Sequence, residues 1–361
     1  MFIIILNFKI EDDSKDFIIF ILEQIHKELK RAINNNIANK NKNALQLCPS
    51  YYELIGKLWD ENGPKSFSPN NFINLIEEMR KNYILESKID EKDESKDFII
   101  FILEQFQKEL QKSINYNINS IKEPLNQYDK KNVFNHFIDE FKENCSIISD
   151  LFFGINETTT KCLNCLNFYN SEEQKNLICY NYGIFNCLIF PLQEVKNKKN
   201  KAIQNKNILN NQKNRVSIND CLFFNEKINE NNKYYCSICE QSSFSIYTTK
   251  IYVSPNILIL ILNRGKDNIN DVKMDFTETI DISEFVLQKD IPKITYNLYG
   301  VINNNSQSGS SSHYVASCKS PVDNKWYRYN DDNVTPIIDL QKDVIDFGTP
   351  SILFYRKILN K

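Results

Sequence analysis

Histidine is scarce in this 361-residue sequence: only His26, His136 and His313 are present. Any chemistry that needs an imidazole is confined to those three positions. Excess basic charge is absent as well. Against 44 Lys and Arg stand 46 Asp and Glu, a net charge of -2, so there is no electrostatic case for a nucleic-acid partner. No apolar run approaches the roughly 20 residues that span a bilayer, and no membrane partner is expected. The opening Met1-Phe2-Ile3-Ile4-Ile5-Leu6 resembles a signal peptide only faintly. It lacks a basic n-region, and its apolar run stops at Asn7 without a small-residue cleavage site. It reads as a strand or a helix lead-in, and the expected location is intracellular, cytoplasmic or nuclear.

Apolar and aromatic residues, by contrast, are plentiful, at 42% and 12% of the chain. That is enough to bury a sizeable core and argues against wholesale disorder. The length suits one large domain or two modest ones. The ten cysteines, in a chain expected to meet a reducing compartment, should be buried, catalytic or metal-bound rather than paired.

An internal repeat stands out. Residues 14–24 recur without change as residues 95–105, and the similarity continues through Lys27-Glu28-Leu29 and Lys108-Glu109-Leu110. Both copies read as helices, with Ser14 and Ser95 as N-caps and Phe98, Phe101, Ile102, Phe106 and Leu110 on one face. Two copies are too few for a solenoid, so the repeat reads as a local duplication. An aromatic helix is expected through Tyr51, Tyr52 and Leu58, with Pro64 and Ser68-Pro69 at loop and helix-start positions. Residues 134–153 read as a further helix followed by the start of a strand. From about 178 onward the pattern turns to β, and Ile257 to Leu262 fits a buried strand. The Lys/Asn-rich stretch 196–215 lacks periodicity and reads as a solvated, low-complexity loop inserted in the β region.

Cys162-Leu163-Asn164-Cys165 and Cys236-Ser237-Ile238-Cys239 form two CxxC knuckles. Each such turn sets two thiolates about one tetrahedral edge apart, and two turns complete the four-sulfur set that zinc prefers. Chance pairs or a redox dithiol are the alternatives, but a redox CxxC opens a helix in a thioredoxin-like unit, and none is evident. With all four positions filled by protein, the zinc would be structural. The chain between the knuckles would form β-fingers. Cys179, Cys187 and Cys221 read as core thiols.

His26 has Gln107 as its counterpart in the repeat, so that position does not demand imidazole, and His136 lies on a helix. His313 is different. It follows Ser308-Gly309-Ser310-Ser311-Ser312 and opens the strand Tyr314-Val315-Ala316. A turn then leads to Trp326-Tyr327-Arg328-Tyr329-Asn330-Asp331. Such a hairpin can carry a base at the start of one strand and an orienting Asn or Asp at the end of the next.

Here the residues resemble a known family. Tyr296 to Ile302, then His313-Tyr314, then Trp326-Tyr327 to Asn330-Asp331 and Val334, look like the histidine box of the ubiquitin-specific proteases. Phe67-Ser68-Pro69, Asp93 to Phe98, Ser146 to Gly154, Tyr234 to Cys239, and Pro255 to Leu262 with Arg264 match other blocks in the same order. The resemblance covers residues 43–358. It implies an α+β, papain-like cysteine-protease fold with a helical thumb (about 43–145), zinc-pinned β-fingers (about 155–250) and an antiparallel palm (about 250–358). Residues 1–42 would hold the duplicated helix. The family hydrolyses the isopeptide bond at the C-terminus of ubiquitin, so ubiquitin or ubiquitinated proteins are the implied partners. Carried over by position, His313 is the general base, Asn330 its orienter and Asp331 an assistant or alternative orienter; Cys162, Cys165, Cys236 and Cys239 hold Zn2+. Two departures are visible: Ser312 stands where the family usually has glycine, and Leu262-Asn263-Arg264-Gly265 lacks a following aromatic.

The family's nucleophile precedes a Leu-Gln element by a few residues. Here Asn43-Ala44-Leu45-Gln46-Leu47-Cys48 resembles that tail, yet Asn39-Lys40-Asn41-Lys42 contains no cysteine. Cys48 would sit on the order of 12 Å too far along a helix. Cys318, five residues after His313, would lie roughly 17 Å away along a strand and face the other side. A base must reach its partner within about 3 Å. The expectation is a pseudoenzyme or a rearranged copy of an active protease. A zinc-stabilised scaffold without cleavage, with or without a link to ubiquitin, is the alternative.

Overall fold

The computed structural model describes residues 46–58, 70–87, 94–111, 125–143, 145–168, 177–205, 215–264, 272–287, 293–304, 314–320, 323–330, 333–346 and 349–358. The first repeat copy with His26, and Pro64 and Ser68-Pro69, lie outside these residues. Among those described, helices α1 (Leu47–Leu58), α2 (Asn70–Ser87), α3 (Glu94–Leu110), α4 (Lys130–Glu143) and α5 (Ile147–Phe152) come first. Strand β1 (Gly154–Cys162) leads into α6 (Leu163–Phe168). Next come β2 (Cys179–Phe185), β3 (Leu188–Pro191), α7 (Leu192–Asn205), β4 (Arg215–Ser217) and α8 (Ile218–Glu226). The remainder is mostly β: β5 (Lys227–Cys236), β6 (Gln241–Val253), β7 (Ile257–Asn263), β8 (Lys273–Asp275) and β9 (Thr279–Asp281), then β10 (Thr295–Asn304), β11 (Tyr314–Lys319), β12 (Trp326–Asn330), β13 (Asn333–Ile337) and β14 (Pro350–Lys357). No described helix is long and apolar enough to cross a membrane.

The largest sheet runs β13-β12-β11-β10-β14-β7-β3, with β9 also on β10. Its pairs are antiparallel except β3 with β7, where a strand from outside the palm range 250–358 joins the edge in parallel. Strand β7 explains the layering. Leu258, Leu260 and Leu262 enter one core cluster, with Leu192 and Val195 of α7 and Cys221 and Leu222 of α8. Ile257, Ile259 and Ile261 enter the other, with residues of α1, α3 and α5. A strand covered on both faces reads as an unbroken apolar run, as this one does.

In the helical layer α3 is central. Phe101, Ile102, Phe106 and Leu110 are buried as expected, but so are Ile99 and Leu103, so more than one face is covered. Each such side chain contributes about 1.5–3 kcal/mol of burial. Tyr51 meets Phe106 edge to face at 5.2 Å. Ser95, expected as the N-cap, lies one residue inside the helix, which starts at Glu94. The cap that matters comes from the other end of α3. The Glu109 carboxylate accepts from the backbone N–H of Gln46 (3.1 Å), Leu47 (2.8 Å) and Cys48 (2.8 Å). It satisfies orphan donors at the start of α1 and complements the helix dipole.

The segment 134–153 is two helices rather than a helix and a strand. Ser146 breaks them by forming a capping box with Ser149, and its hydroxyl also donates to Gln107 of α3. The strand starts only at Gly154. A Cβ there would meet the Phe185 ring at 2.3 Å and the Val253 carbonyl at 2.9 Å, so the site admits only glycine without a shift.

A second sheet, β2-β1-β6-β5, is four-stranded. Helix α4 covers one face through Val133, Phe134, Phe137 and Ile138, packed on Ile155 and Tyr182. Lys130 opens α4, against the helix dipole. It is held there by the buried Glu157 at 2.8 Å and lies 5.6 Å and 5.9 Å from the Tyr180 and Tyr252 ring centroids. Tyr182 donates to the same carboxylate at 2.7 Å. The chain between the two CxxC knuckles does not stay in this sheet: β3 joins the large sheet, and β4 pairs β8 in a parallel ribbon. The Lys/Asn-rich stretch is likewise not all loop. Through Asn205 it is helix α7, with Lys199 paired to Asp220 at 2.8 Å.

Replacing Glu109 by Ala removes the acceptor of three backbone donors. It should lower stability by about 1–2 kcal/mol in urea unfolding; an unchanged midpoint would show that the cap contributes nothing.

Candidate active site and four-cysteine centre

The hairpin singled out by the sequence is present. Strands β11 and β12 pair antiparallel, from Ala316 with Tyr329 to Lys319 with Trp326. Its turn is closed by Ser320 N–H donating to the Lys325 carbonyl at 2.7 Å. The Tyr327 hydroxyl donates to Asp323 at 2.6 Å. Asn324 supplies the positive φ of 55°, which Asn tolerates better than most residues. Asn330 is exposed at the end of β12, one residue beyond the Ala316–Tyr329 pair and so at the end of the hairpin where β11 begins. His313, Asp331 and the Ser308–Ser312 loop lie outside the described residues. Asn330 is thus the described member of the expected base-and-orienter set. His136 lies on α4, half-buried.

All ten cysteines fall among the described residues, and none is in a disulfide. Cys48 is in the first turn of α1, where a helix N-terminus would favour a thiolate. It is fully buried, however, and faces Glu109. Burial first, then the Glu109 charge and its hydrogen bond, push this thiol far above its ordinary range. Cys318 is buried in the helix-facing cluster, and burial pushes it up to about 12. Burial also raises Cys221 in the opposite cluster. Cys145 is half-buried and donates to the Phe141 carbonyl at 3.4 Å. Cys187 is part-buried and packs against the helix-facing core, while Cys179 is part-buried.

The remaining four cysteines converge. Cys162 ends β1, Cys165 lies on the short α6, and Cys236 and Cys239 flank the β5–β6 turn. Their four sulfurs lie within 4.8 Å of one another. Cys162 Sγ is 3.8 Å from Cys239 Sγ, and Cys165 Sγ is 3.7 Å from Cys236 Sγ. A zinc tetrahedron with Zn–S bonds of about 2.3 Å has S···S edges of about 3.8 Å. The donor set and its spacing therefore fit such an ion. Glu240, in the turn between these strands, has a positive φ of 51°. The sequence offered no signal for the Glu109 cap beyond its place in the repeated Lys-Glu-Leu.

A family model described as ubiquitin carboxyl-terminal hydrolase matches residues 27–355. The chain belongs to that family. Similar curated proteins include the mouse (Mus musculus) ubiquitin carboxyl-terminal hydrolase 17-like protein B, 30% identical over 125 residues, 33% of this chain and 26% of the relative. Another is ubiquitin carboxyl-terminal hydrolase 12 of Saccharomyces cerevisiae, 30% identical over 168 residues, 43% of this chain and 13% of the relative. The matched part is thus a small share of either relative. Among solved structures, the yeast SAGA DUB module with an Sgf73 variant aligns with a TM-score of 0.55 at 18% identity, over 94% of this chain and 66% of that one. The Ubp8/Sgf11/Sus1/Sgf73 module bound to ubiquitin aldehyde aligns with a TM-score of 0.55 at 18% identity, over 94% of this chain and 67% of that one. The fold of this ubiquitin carboxyl-terminal hydrolase family member is accordingly the α+β, papain-like one. Helices α1, α2, α3 and α5 form the thumb, the large sheet the palm, and the four-stranded sheet the fingers, whose cysteine cluster could hold zinc.

Metal analysis of the purified chain should find one zinc per chain. A variant carrying Cys162→Ser and Cys236→Ser, one ligand from each knuckle, should hold none and melt at lower temperature. Four freely titrating thiols in the unaltered, folded chain would overturn the assignment.

Proposed function

We propose that this chain is a ubiquitin-binding member of its family that does not cleave. The observation that carries the proposal is the environment of its ten cysteines. A nucleophilic thiol needs exposure and a field that favours the thiolate. Cys48, at the start of a helix, has neither, because Glu109 occupies the positive end of the dipole. Four cysteines face one another across the fingers; Cys221 and Cys318 are buried in the two cores, and Cys145, Cys179 and Cys187 are part-buried. Residues 1–45 and the other undescribed segments contain no cysteine at all.

In this reading the thumb spans about 43–145, the fingers about 155–250 and the palm about 250–358, with 196–215 an insertion. His313 keeps the position of a general base, Asn330 that of its orienter and Asp331 that of an assistant, with no sulfur for them to activate. Zn2+ on Cys162, Cys165, Cys236 and Cys239 would cross-link the β1–α6 corner to the β5–β6 turn. It would stiffen the tip of a sheet that has little core of its own. Ubiquitin is the proposed partner, on the family membership and on the relatives' own ubiquitin complexes.

Calorimetric titration with monoubiquitin should show binding, while a fluorogenic ubiquitin C-terminal amide should be released no faster than by buffer. Turnover would sink the inactive reading, and lack of binding by the folded, zinc-loaded chain would sink the ubiquitin reading. If a cysteine-bearing segment grafted ahead of Leu45 confers cleavage, His313→Ala in that background should abolish it; retained cleavage would remove His313 from the role of base.

A further inference from the structure

On the face of the palm opposite the thumb lies a cleft of about 520 Å³. Its floor is apolar and buried: Ile218, Met274, Phe276, Ile280 and Ile345 all belong to the cluster on that side of β7. Its rim is charged. Arg215 and Asp275 face each other there at 2.5 Å and cancel. Asp281 and Asp346 remain, both exposed, and make the rim acidic even with Lys293 beside Asp281. Neither carboxylate is strongly neutralised. Asp281 has Lys293 only at 3.8 Å and takes its hydrogen bonds from Ser283. Asp346 accepts from the uncharged Gln341 amide at 2.8 Å.

The walls are strands with a single partner each. The β4–β8 ribbon stands apart from the larger sheets, and β9 pairs only with β10 among the described residues. On β4 the Arg215 carbonyl already accepts from Lys199 at 3.0 Å and the Ser217 N–H donates to Asp220 at 2.8 Å, so β9 is the edge that can accept an extended peptide, whose side chains alternate between two faces. Here one set would drop onto the apolar floor and the other would meet the carboxylate rim. We infer that this cleft is a docking site for an extended protein segment in which apolar residues alternate with lysine or arginine. The site lies on the other side of the large sheet from α1, α3 and α5. Its acidic rim disfavours an acidic segment.

The test uses the full chain and two fluorescein-labelled octapeptides, one of alternating valine and lysine, the other of alternating valine and glutamate. Fluorescence anisotropy should show binding of the lysine peptide alone. A variant with Asp281→Asn and Asp346→Asn should bind it roughly five- to tenfold more weakly, the scale of two partly exposed ion pairs. Asp281 also holds the Ser283 backbone, so Asp346→Lys alone, at a purely rim position, serves as the second variant and must weaken binding as well. Equal affinity of the variants and the unaltered chain, equal binding of the glutamate peptide, or no binding of the lysine peptide would each overturn the inference.

Discussion

The structure depends on the double burial of β7. Six consecutive apolar residues, Ile257 to Leu262, cannot be left half-covered, because either face would expose three large aliphatic side chains. One face therefore takes α1, α3 and α5; the other takes α7, α8 and the β4–β8 ribbon. Burial on this scale also dictates where polar groups can stand. Arg264, just past β7, is buried, and its guanidinium donates to the carbonyls of Pro350 and Val272, tying the start of β14 to the approach to β8.

The four-stranded sheet is built differently. Its central strand carries Thr158, Thr159 and Thr160, and Thr158 meets Thr249 hydroxyl to hydroxyl at 3.1 Å. A polar sheet of this kind gains little from burial and must be held at its ends. At the base the hold is the α4 helix, with Lys130 set between the Glu157 carboxylate and two tyrosine rings. At the tip it is the four sulfurs. A buried ion pair is weak evidence for stability in itself; here it matters because it sets where a helix that carries a cation at its own N-terminus must sit.

The same economy bears on chemistry. A helix N-terminus can stabilise one anion well. In a thiol protease that anion is the nucleophile; in this chain it is the Glu109 carboxylate. Glu109 caps the start of α1 and, together with burial, pushes the neighbouring Cys48 thiol above its ordinary range. The requirements of the β11–β12 hairpin are met locally, by the strand ladder and the Asp323–Tyr327 turn.

Much of this was legible beforehand for a simple reason: short-range geometry is written in short-range sequence. CxxC spacing determined the cysteine quartet, an unbroken apolar run determined a doubly covered strand, and the order of the blocks around His313 and Asn330 determined the family. Residues whose meaning depends on a distant partner were not legible. Glu109 reads as an ordinary surface acid until α1 is packed 61 to 63 positions away in sequence. Lys196 to Asn205 reads as loop because its composition is polar, and it becomes helix because Leu192 and Val195 dock it on the core. Residues 134–153 read as a helix running into a strand, and the break into two helices appears only when the Ser146 hydroxyl is claimed by a cap and by Gln107. Local pattern decides which elements can exist; only tertiary packing decides which polar group meets which, because a hydrogen bond or an ion pair depends on a few ångströms that no spacing along the chain can set.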